Sequence, residues 1–281
     1  MIPPLPDLIL EPLLRAALIE DLGSHGDITT RTVIPHGTRA QGRIRAREAG
    51  TASGMALAAL AFRLIDPDLR LNVLVPDGTG FDAGATLASI EGDAAAILSA
   101  ERVALNFAGR LSGIATMTAA FVAGTRGTHT RITCTRKTTP GLRLVEKQAV
   151  LHGGGFNHRV SLSDAILIKD NHIAAAGGIG PVLRAVKARA SHMMRVEIEV
   201  DDLDQLAQVL DEGGAHVVLL DNMDDTTLAR AVEMGQGRVV LEASGNMVLD
   251  RIARVAATGV DYISVGALTH SVRVLDLGLD L

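Results

Sequence analysis

The residues best suited to chemistry lie between Thr135 and His172. Six Arg or Lys side chains (Arg136, Lys137, Arg143, Lys147, Arg159 and Lys169) outnumber three acids (Glu146, Asp164 and Asp170) there, in a chain of formal net charge −5. Guanidinium forks grip carboxylates in bidentate fashion and lysine supplies compact charge. Arg136, Lys137, His158, Arg159 and Lys169 together would therefore suit a small polyanion, such as a ligand with two adjacent carboxylates. Further on, Glu199 and Asp221 supply the opposite sign. Carboxylates of this kind suit Mg²⁺, which keeps several waters and leans on one or two protein carboxylates plus substrate phosphates. They also suit ribose hydroxyls, and a plain salt bridge from Glu199 or Asp221 to Lys169 is compatible with either role.

A phosphate site is expected at Ser244-Gly245-Asn246 and Gly266-Ala267. Small residues with available backbone N–H groups at the start of a helix bind anions, and in α/β barrels a phosphate often rests at the last two strands. Gly153-Gly154-Gly155 is expected to end a helix over Leu142–His152 and to let backbone approach a ligand beside Asn157-His158-Arg159. Arg143 and Lys147, on that helix, read as solvated surface charges. Cys134 reads as a buried small hydrophobe. No Ser-His-Asp order, H-E-x-x-H or Walker loop is present. Lys169 at a strand end leaves a Schiff-base enzyme open as a rival reading.

Composition narrows the field. At 281 residues, with 47% hydrophobic and 21% charged, the chain is expected to fold as one large or two moderate globular domains. A single cysteine excludes an internal disulfide and a cysteine-built metal site. Net acidity, no Trp, one Tyr and five Phe argue against nucleic acid, which calls for a basic face and stacking aromatics. No apolar run reaches the roughly 20 residues a bilayer crossing needs, and MIPPLPDLILEPLLRAALIE lacks a basic leader. A soluble cytoplasmic protein with a small substrate, and no membrane, is the expectation.

The elements that must position these residues divide in two. Residues 7–22 have helical spacing; QGRIRAREAG, LRLNVLVPDG and GATLASIEGD read as short strands, with a helix near 56–65. This is an α+β block. From Ile97 to Val122 the pattern is helical, Gly109 and Gly113 are read as breaks, and the boundary is placed there, giving domains 1–108 and 109–270. Beyond it, short apolar strands alternate with amphipathic helices: Arg131–Thr135, Ala165–Ile168, Arg195–Val200, His216–Leu220, Arg238–Leu241 and Val260–Val265. Strand starts at 195, 216, 238 and 260 recur every 21 or 22 residues. Such βα units close most readily into a barrel, here an incomplete α/β barrel of six or seven parallel strands; an open doubly wound sheet is the competing architecture. Lys169, Glu199, Asp221, Glu242 and Gly266 are read as strand ends, and strand ends on one rim make distant residues converge.

TRKTTPGLRLVEKQAVLHGGGFNHR, followed by LIKDNHI, VEIEVDDL, VVLLDN, EASGN and ISVGALTHS, closely resembles the quinolinate phosphoribosyltransferase family. EDLGSHGDITT and ERVALNFAGRLSGIAT near the front resemble the same family, so the likeness spans nearly the whole chain. It implies an N-terminal open-faced α/β sandwich, joined by a returning tail (271–281), and a homodimer. It also implies transfer of phosphoribosyl from phosphoribosyl pyrophosphate to quinolinate with loss of CO₂, using Mg²⁺, in NAD biosynthesis. By motif match, Arg136, Lys137, His158, Arg159 and Lys169 would hold quinolinate, with Arg102 reaching in from a neighbouring subunit. Glu199 and Asp221 would serve the ribose and Mg²⁺, and Ser244, Gly245, Gly266 and His270 the product phosphate. The chain departs from the family at Cys134, where Asp is usual, and by one extra residue between Glu199 and Asp221, placed at Gly213-Gly214. A molybdenum-locus paralogue, expected to lose NHR or KDN, and a non-catalytic phosphate-ligand sensor are the remaining alternatives.

Overall fold

The computed structural model describes residues 2–235 and 237–281. In chain order its elements begin with α1 (Asp7–Leu22), α2 (Ile28–Val33), β1 (Arg39–Ala46), β2 (Gly50–Thr51), α3 (Met55–Ile65), β3 (Arg70–Val73), β4 (Gly80–Phe81), β5 (Thr86–Asp93) and α4 (Ala94–Ala123). Then come β6 (Arg131–Thr133), α5 (Arg143–His152), β7 (Ile166–Ile168), α6 (Asp170–Ala176), α7 (Ile179–Arg189), β8 (Val196–Val200) and α8 (Leu203–Glu212). The last are β9 (Val217–Asp221), α9 (Asp225–Gly235), β10 (Val240–Ser244), α10 (Leu249–Ala257), β11 (Tyr262–Ser264), α11 (Ala267–His270) and β12 (Leu277–Asp280). Two compact units share them, one of Met1–Ala119, Thr139–Gly154 and Ser271–Leu281, the other of Ala120–Thr138 and Gly155–His270.

The first unit carries an antiparallel sheet in the order β12-β1-β5-β3. Alternation along β1 buries Gly42, Ile44 and Ala46 on one face and leaves the arginines on the other. Helix α1 buries Leu10, Leu14 and Leu18, spaced four apart along one stripe. Burying each such side chain stabilises by about 1.5–3 kcal/mol.

The sequence reading of Gly109 and Gly113 as helix breaks is overturned, because α4 runs unbroken for 30 residues. These glycines instead admit the tail: Leu275 N–H donates to the Gly109 carbonyl at 3.0 Å. A Cβ at Gly109 would lie 2.7 Å from the Leu275 carbonyl oxygen, and one at Gly113 would run into that of Arg273. Glycine here serves contact between backbones, not a bend.

Helix α5 corrects a second expectation. Lys147 is only 2% exposed and Glu146 is fully buried, while Arg143 is half-buried. Arg110 donates to Glu146 from Nε at 2.9 Å and from Nη2 at 2.6 Å, and Thr139 N–H donates to the same carboxylate at 3.1 Å. Gly153 caps α5 with a negative φ, and a Cβ there would strike the Ala115 carbonyl. Helix packing, and not ligand approach, selects that glycine.

The second unit is the expected incomplete α/β barrel. Its six strands are all parallel, in the order β6-β11-β10-β9-β8-β7. From β7 to β11 consecutive strands are neighbours, and β6 pairs with β11, Ser264 opposite Thr133, so that β6 and β7 are the two edges. A doubly wound sheet would reverse its order at a switch point; this one curls. Phe156 supplies a single bridge on the free side of β6, its N–H donating to Ile132 and its carbonyl accepting from Cys134. Helices α8 and α10 turn Leu206, Val209 and Leu210, and Ile252, Val255 and Ala256, into the core. Strand bounds differ from expectation by one to three residues, most at β10, which starts at Val240 and extends to Ser244.

Replacing Gly113 by Ala tests the tail contact. Helix propensity alone would stabilise by about 0.5–1 kcal/mol, whereas the clash with a backbone carbonyl should destabilise by about 1–3 kcal/mol. A urea midpoint that falls at constant m is expected; a rising midpoint would show that the tail does not need the glycine.

Candidate active site

Side chains on one face of a strand recur every second residue. Inward-facing residues of the parallel strands therefore stack in layers, and the upper layer ends at the strands' C-terminal rim. Lys169 follows β7, Glu199 lies near the end of β8, Asp221 and Ser244 close β9 and β10, and Gly266 follows β11. The register fixes the pairing, with Ser244 opposite Asp221 and Ile168 opposite Ile198. Together they line a cavity of about 760 Å³.

Arg136, Lys137, His158, Arg159, Lys169, Glu199, Asp221, Ser244, Gly245, Asn246, Gly266, Ala267 and His270 all line this one cavity. Arg102 does not; it is exposed on α4 in the other unit. A further hollow of about 820 Å³ lies on the antiparallel sheet, lined by Arg43, Arg45 and Arg70 among others.

Charges of both signs meet inside the cavity. Lys169 Nζ donates to Glu199 Oε2 at 2.7 Å, and Asn222 Nδ2 donates to Asp221 Oδ2 at 2.6 Å. Arg159 is half-buried and donates from Nη1 to the Ala165 carbonyl at 3.0 Å. Burial, and then the neighbouring Arg136 guanidinium, push Arg159 below its ordinary range against the pull of Glu197 and Asp164. The Nε atoms of Arg136 and Arg159 are buried without an acceptor among the described residues.

His158 is engaged at both ring nitrogens. Its Nδ1 accepts the Arg159 backbone N–H at 2.8 Å, and its Nε2 lies 2.8 Å from Glu197 Oε2.

Two buried acids escaped the sequence reading in whole or part. Glu197 was missed, although VEIE places it two residues from Glu199 and hence on the same strand face. Glu242 is not the strand end expected but sits mid-β10, one layer below Ser244. His158 Nε2 lies 3.9 Å from Glu242 Oε1.

Glycine-bearing turns close the rim opposite Lys169. Gly245 has φ +91°, between Asn222 (φ +54°) and Asn246 (φ +48°), and a Cβ on it would strike Asn222 Oδ1. Asn246 Nδ2 donates to that same oxygen at 3.2 Å. A Cβ on Gly266 would lie 3.1 Å from His270 Nε2 and 3.2 Å from Lys137 Cδ. The backbone of Lys137 is held by Thr269, whose hydroxyl donates to its carbonyl at 2.7 Å.

Residues 27–112 match the family model for the quinolinate phosphoribosyl transferase N-terminal domain, and residues 114–280 that for its C-terminal domain. The chain belongs to the quinolinate phosphoribosyltransferase family. It is 45% identical to a nicotinate-nucleotide pyrophosphorylase (carboxylating) of Mycobacterium leprae, over 95% of each chain. A mitochondrial quinolinate phosphoribosyltransferase (decarboxylating) of Nicotiana tabacum is 41% identical over 98% of this chain and 83% of its own. Among solved structures, NadC from Streptococcus pyogenes superposes with a TM-score of 0.96 at 38% identity, covering 100% of this chain and 98% of that one.

Within that family the two departures of this chain are now located. Cys134 is fully buried and donates from Sγ to Asn157 Oδ1 at 3.3 Å. Residues Thr135 and Arg136, not Cys134, line the cavity. Gly213 and Gly214 follow α8 and precede β9, both with positive φ. They therefore lie at the end of the barrel away from the rim.

The Gly266 cradle makes a prediction of its own. Gly266→Val must push aside Lys137 and His270, so protection of the enzyme against thermal unfolding by inorganic phosphate should shrink or vanish. An undiminished shift would show that these side chains do not bind phosphate.

Proposed function

We propose that the protein is a carboxylating nicotinate-nucleotide pyrophosphorylase, converting quinolinate and phosphoribosyl pyrophosphate to nicotinate mononucleotide, pyrophosphate and CO₂ in NAD biosynthesis. The observation that carries this is the single cavity in which Arg136, Arg159 and Lys169 share a rim with Glu199, Asp221 and the turns at Gly245 and Gly266. Both ends of the reaction are served there, a dicarboxylate by the cations and a phosphorylated sugar by the carboxylates and glycine turns.

Arg136, Arg159 and Lys169 would hold the two carboxylates and Lys137 the junction of the substrates, turning the pyridine nitrogen toward the anomeric carbon. Positioning of this kind contributes several kcal/mol, about 7–11 at its largest. As the bond to pyrophosphate breaks, positive charge grows on the ribose, and fixed carboxylates beside it lower the barrier. Glu199 and Asp221 are placed for this role. Once the nitrogen is quaternised, the adjacent carbon can release CO₂, because the ring cation stabilises the electron pair left behind. No side chain need become covalently bound.

The carboxylate oxygens of Glu199 and Asp221 fit Mg²⁺ by chemistry, being hard donors beside the expected diphosphate. When bound, the ion would neutralise charge on the departing pyrophosphate. Ser244, Gly245, Asn246, Gly266, Ala267 and His270 would receive the 5′-phosphate. We further place Arg102, exposed and outside the lining, in the cavity of a second copy within a homodimer. No described helix is long and apolar enough to cross a membrane, in keeping with a cytoplasmic enzyme.

Lys169 is 49% exposed and ion-paired with Glu199, not a desolvated amine, which weighs against the Schiff-base reading. NHR and KDN are intact, which weighs against the molybdenum-locus paralogue.

The deciding assay measures CO₂ from carboxyl-labelled quinolinate. Release should require phosphoribosyl pyrophosphate and match pyrophosphate mole for mole; ligand binding without release would favour a sensor, and borohydride-dependent labelling of Lys169 a lyase. In Arg159→Ala, quinolinate binding should weaken by about two orders of magnitude, on the scale of about 2–5 kcal/mol for losing one partner of a partly desolvated ion pair. Binding of phosphoribosyl pyrophosphate should be spared. Equal loss of both would refute the assignment.

A further inference from the structure

Beneath the cationic rim lies a polar cluster that the proposed chemistry does not touch. Glu197 and Glu242 are buried within the barrel, and their carboxylates and the His158 imidazole lie within 4.8 Å of one another. The Glu197 side chain is 8% exposed, and its Oε1 has no donor among the described residues. Buried carboxylates are costly unless they hold something.

What Glu197 holds is a ring, and the ring holds a backbone. Glu197 Oε2 accepts the Nε2 proton of His158 at 2.8 Å. His158 Nδ1 accepts the backbone N–H of Arg159 at 2.8 Å. The Arg159 guanidinium is tied at its far end to the Ala165 carbonyl at 3.0 Å. An uninterrupted path thus runs from β8 to the guanidinium of the segment after Phe156, which lies outside the six named strands. Arg159 lies within the field of Glu197, so the cluster already faces a cation of the protein's own.

Resting on the reading of the cavity as a quinolinate site, we propose that Glu197 is a positioning residue for the dicarboxylate. It holds the Nε2–H of His158 and, through that ring, the place of Arg159. Two consequences separate this from a merely structural acid. The effect of losing Glu197 falls on one substrate and not the other, since Glu197 reaches the cavity through His158 and Arg159, while the phosphoribosyl end is served by Glu199, Asp221 and the turns at Gly245 and Gly266. And a glutamine should serve in its place, because an amide oxygen still accepts from Nε2–H while the charge is gone.

The test compares Glu197→Ala and Glu197→Gln in steady-state CO₂ release, each substrate varied in turn, with ¹⁵N imidazole spectra of the free wild-type enzyme. The His158 signals are assigned by their loss in His158→Asn. Glu197→Ala should raise KM for quinolinate by about tenfold or more, the scale of an unmade buried hydrogen bond, with kcat and KM for phosphoribosyl pyrophosphate unchanged. Glu197→Gln should recover most of that loss, and the wild-type spectrum should show protonated Nε2 and bare Nδ1. Equal effects on both KM values, an effect on kcat alone, or a glutamine variant as weak as the alanine one would overturn the proposal. Should the alanine variant not fold, the glutamine kinetics and the wild-type spectrum decide, a protonated Nδ1 being the contrary result. If wild-type enzyme released no CO₂, the functional reading would fail while the spectrum still judged the path from Glu197 to Arg159.

Discussion

Parallel pairing in a fixed register is the constraint from which the site follows. Each strand of the barrel carries its inward residues at every second position, and neighbouring strands are locked to one another by the ladder between them. A slip of one residue on β8 would turn Glu197 and Glu199 outward together and bring Val196, Ile198 and Val200 into the cavity. Register, set by burial of those apolar residues on the outer face against helices, is therefore also what sets Lys169 beside Glu199 and Ser244 beside Asp221. The stability of the sheet and the arrangement of the charges rest on the same contacts.

Such a rim confines like charges that would otherwise stay apart. Burial and then Arg136 depress the proton affinity of Arg159, and Glu197 opposes that effect from below. Glu197 thus offsets part of the repulsion between the two guanidinium groups without filling the cavity. Preorganised charge of this kind is most effective where water is displaced. His158 fits the same scheme, since it spends its two nitrogens on alignment.

Glycines and lysines show where local reading fails. Gly109 and Gly113 carry the signal of helix breaks and Gly153 does end its helix, yet each is also required where another segment's backbone passes close by. Only the partner segment reveals this, and in the first two cases it lies more than a hundred and fifty residues away. Lys147 looks like an exposed charge on a helix, but it stands next to Glu146, whose carboxylate is fully buried against Arg110. Hydrophobic patterning has no means of anticipating a buried ion pair, because the partner that makes burial tolerable is distant in sequence.

By itself the sequence determined the kinds of element and their direction. Period-2 and period-3.6 patterns, repeated at about 22 residues, are local properties, and with right-handed crossovers they leave few closed arrangements. Convergence of Lys169, Glu199, Asp221, Ser244 and Gly266 could be read from that alone, as could Cys134 as an interior residue. Tertiary structure decided which charges touch: that Glu199 and not Asp221 takes Lys169, that Glu242 lies a layer down, and that His158 lies between Glu197 and the backbone of Arg159. Those outcomes depend on strand register and on angstrom-scale distances between segments far apart in the chain, which no spacing along a single segment encodes.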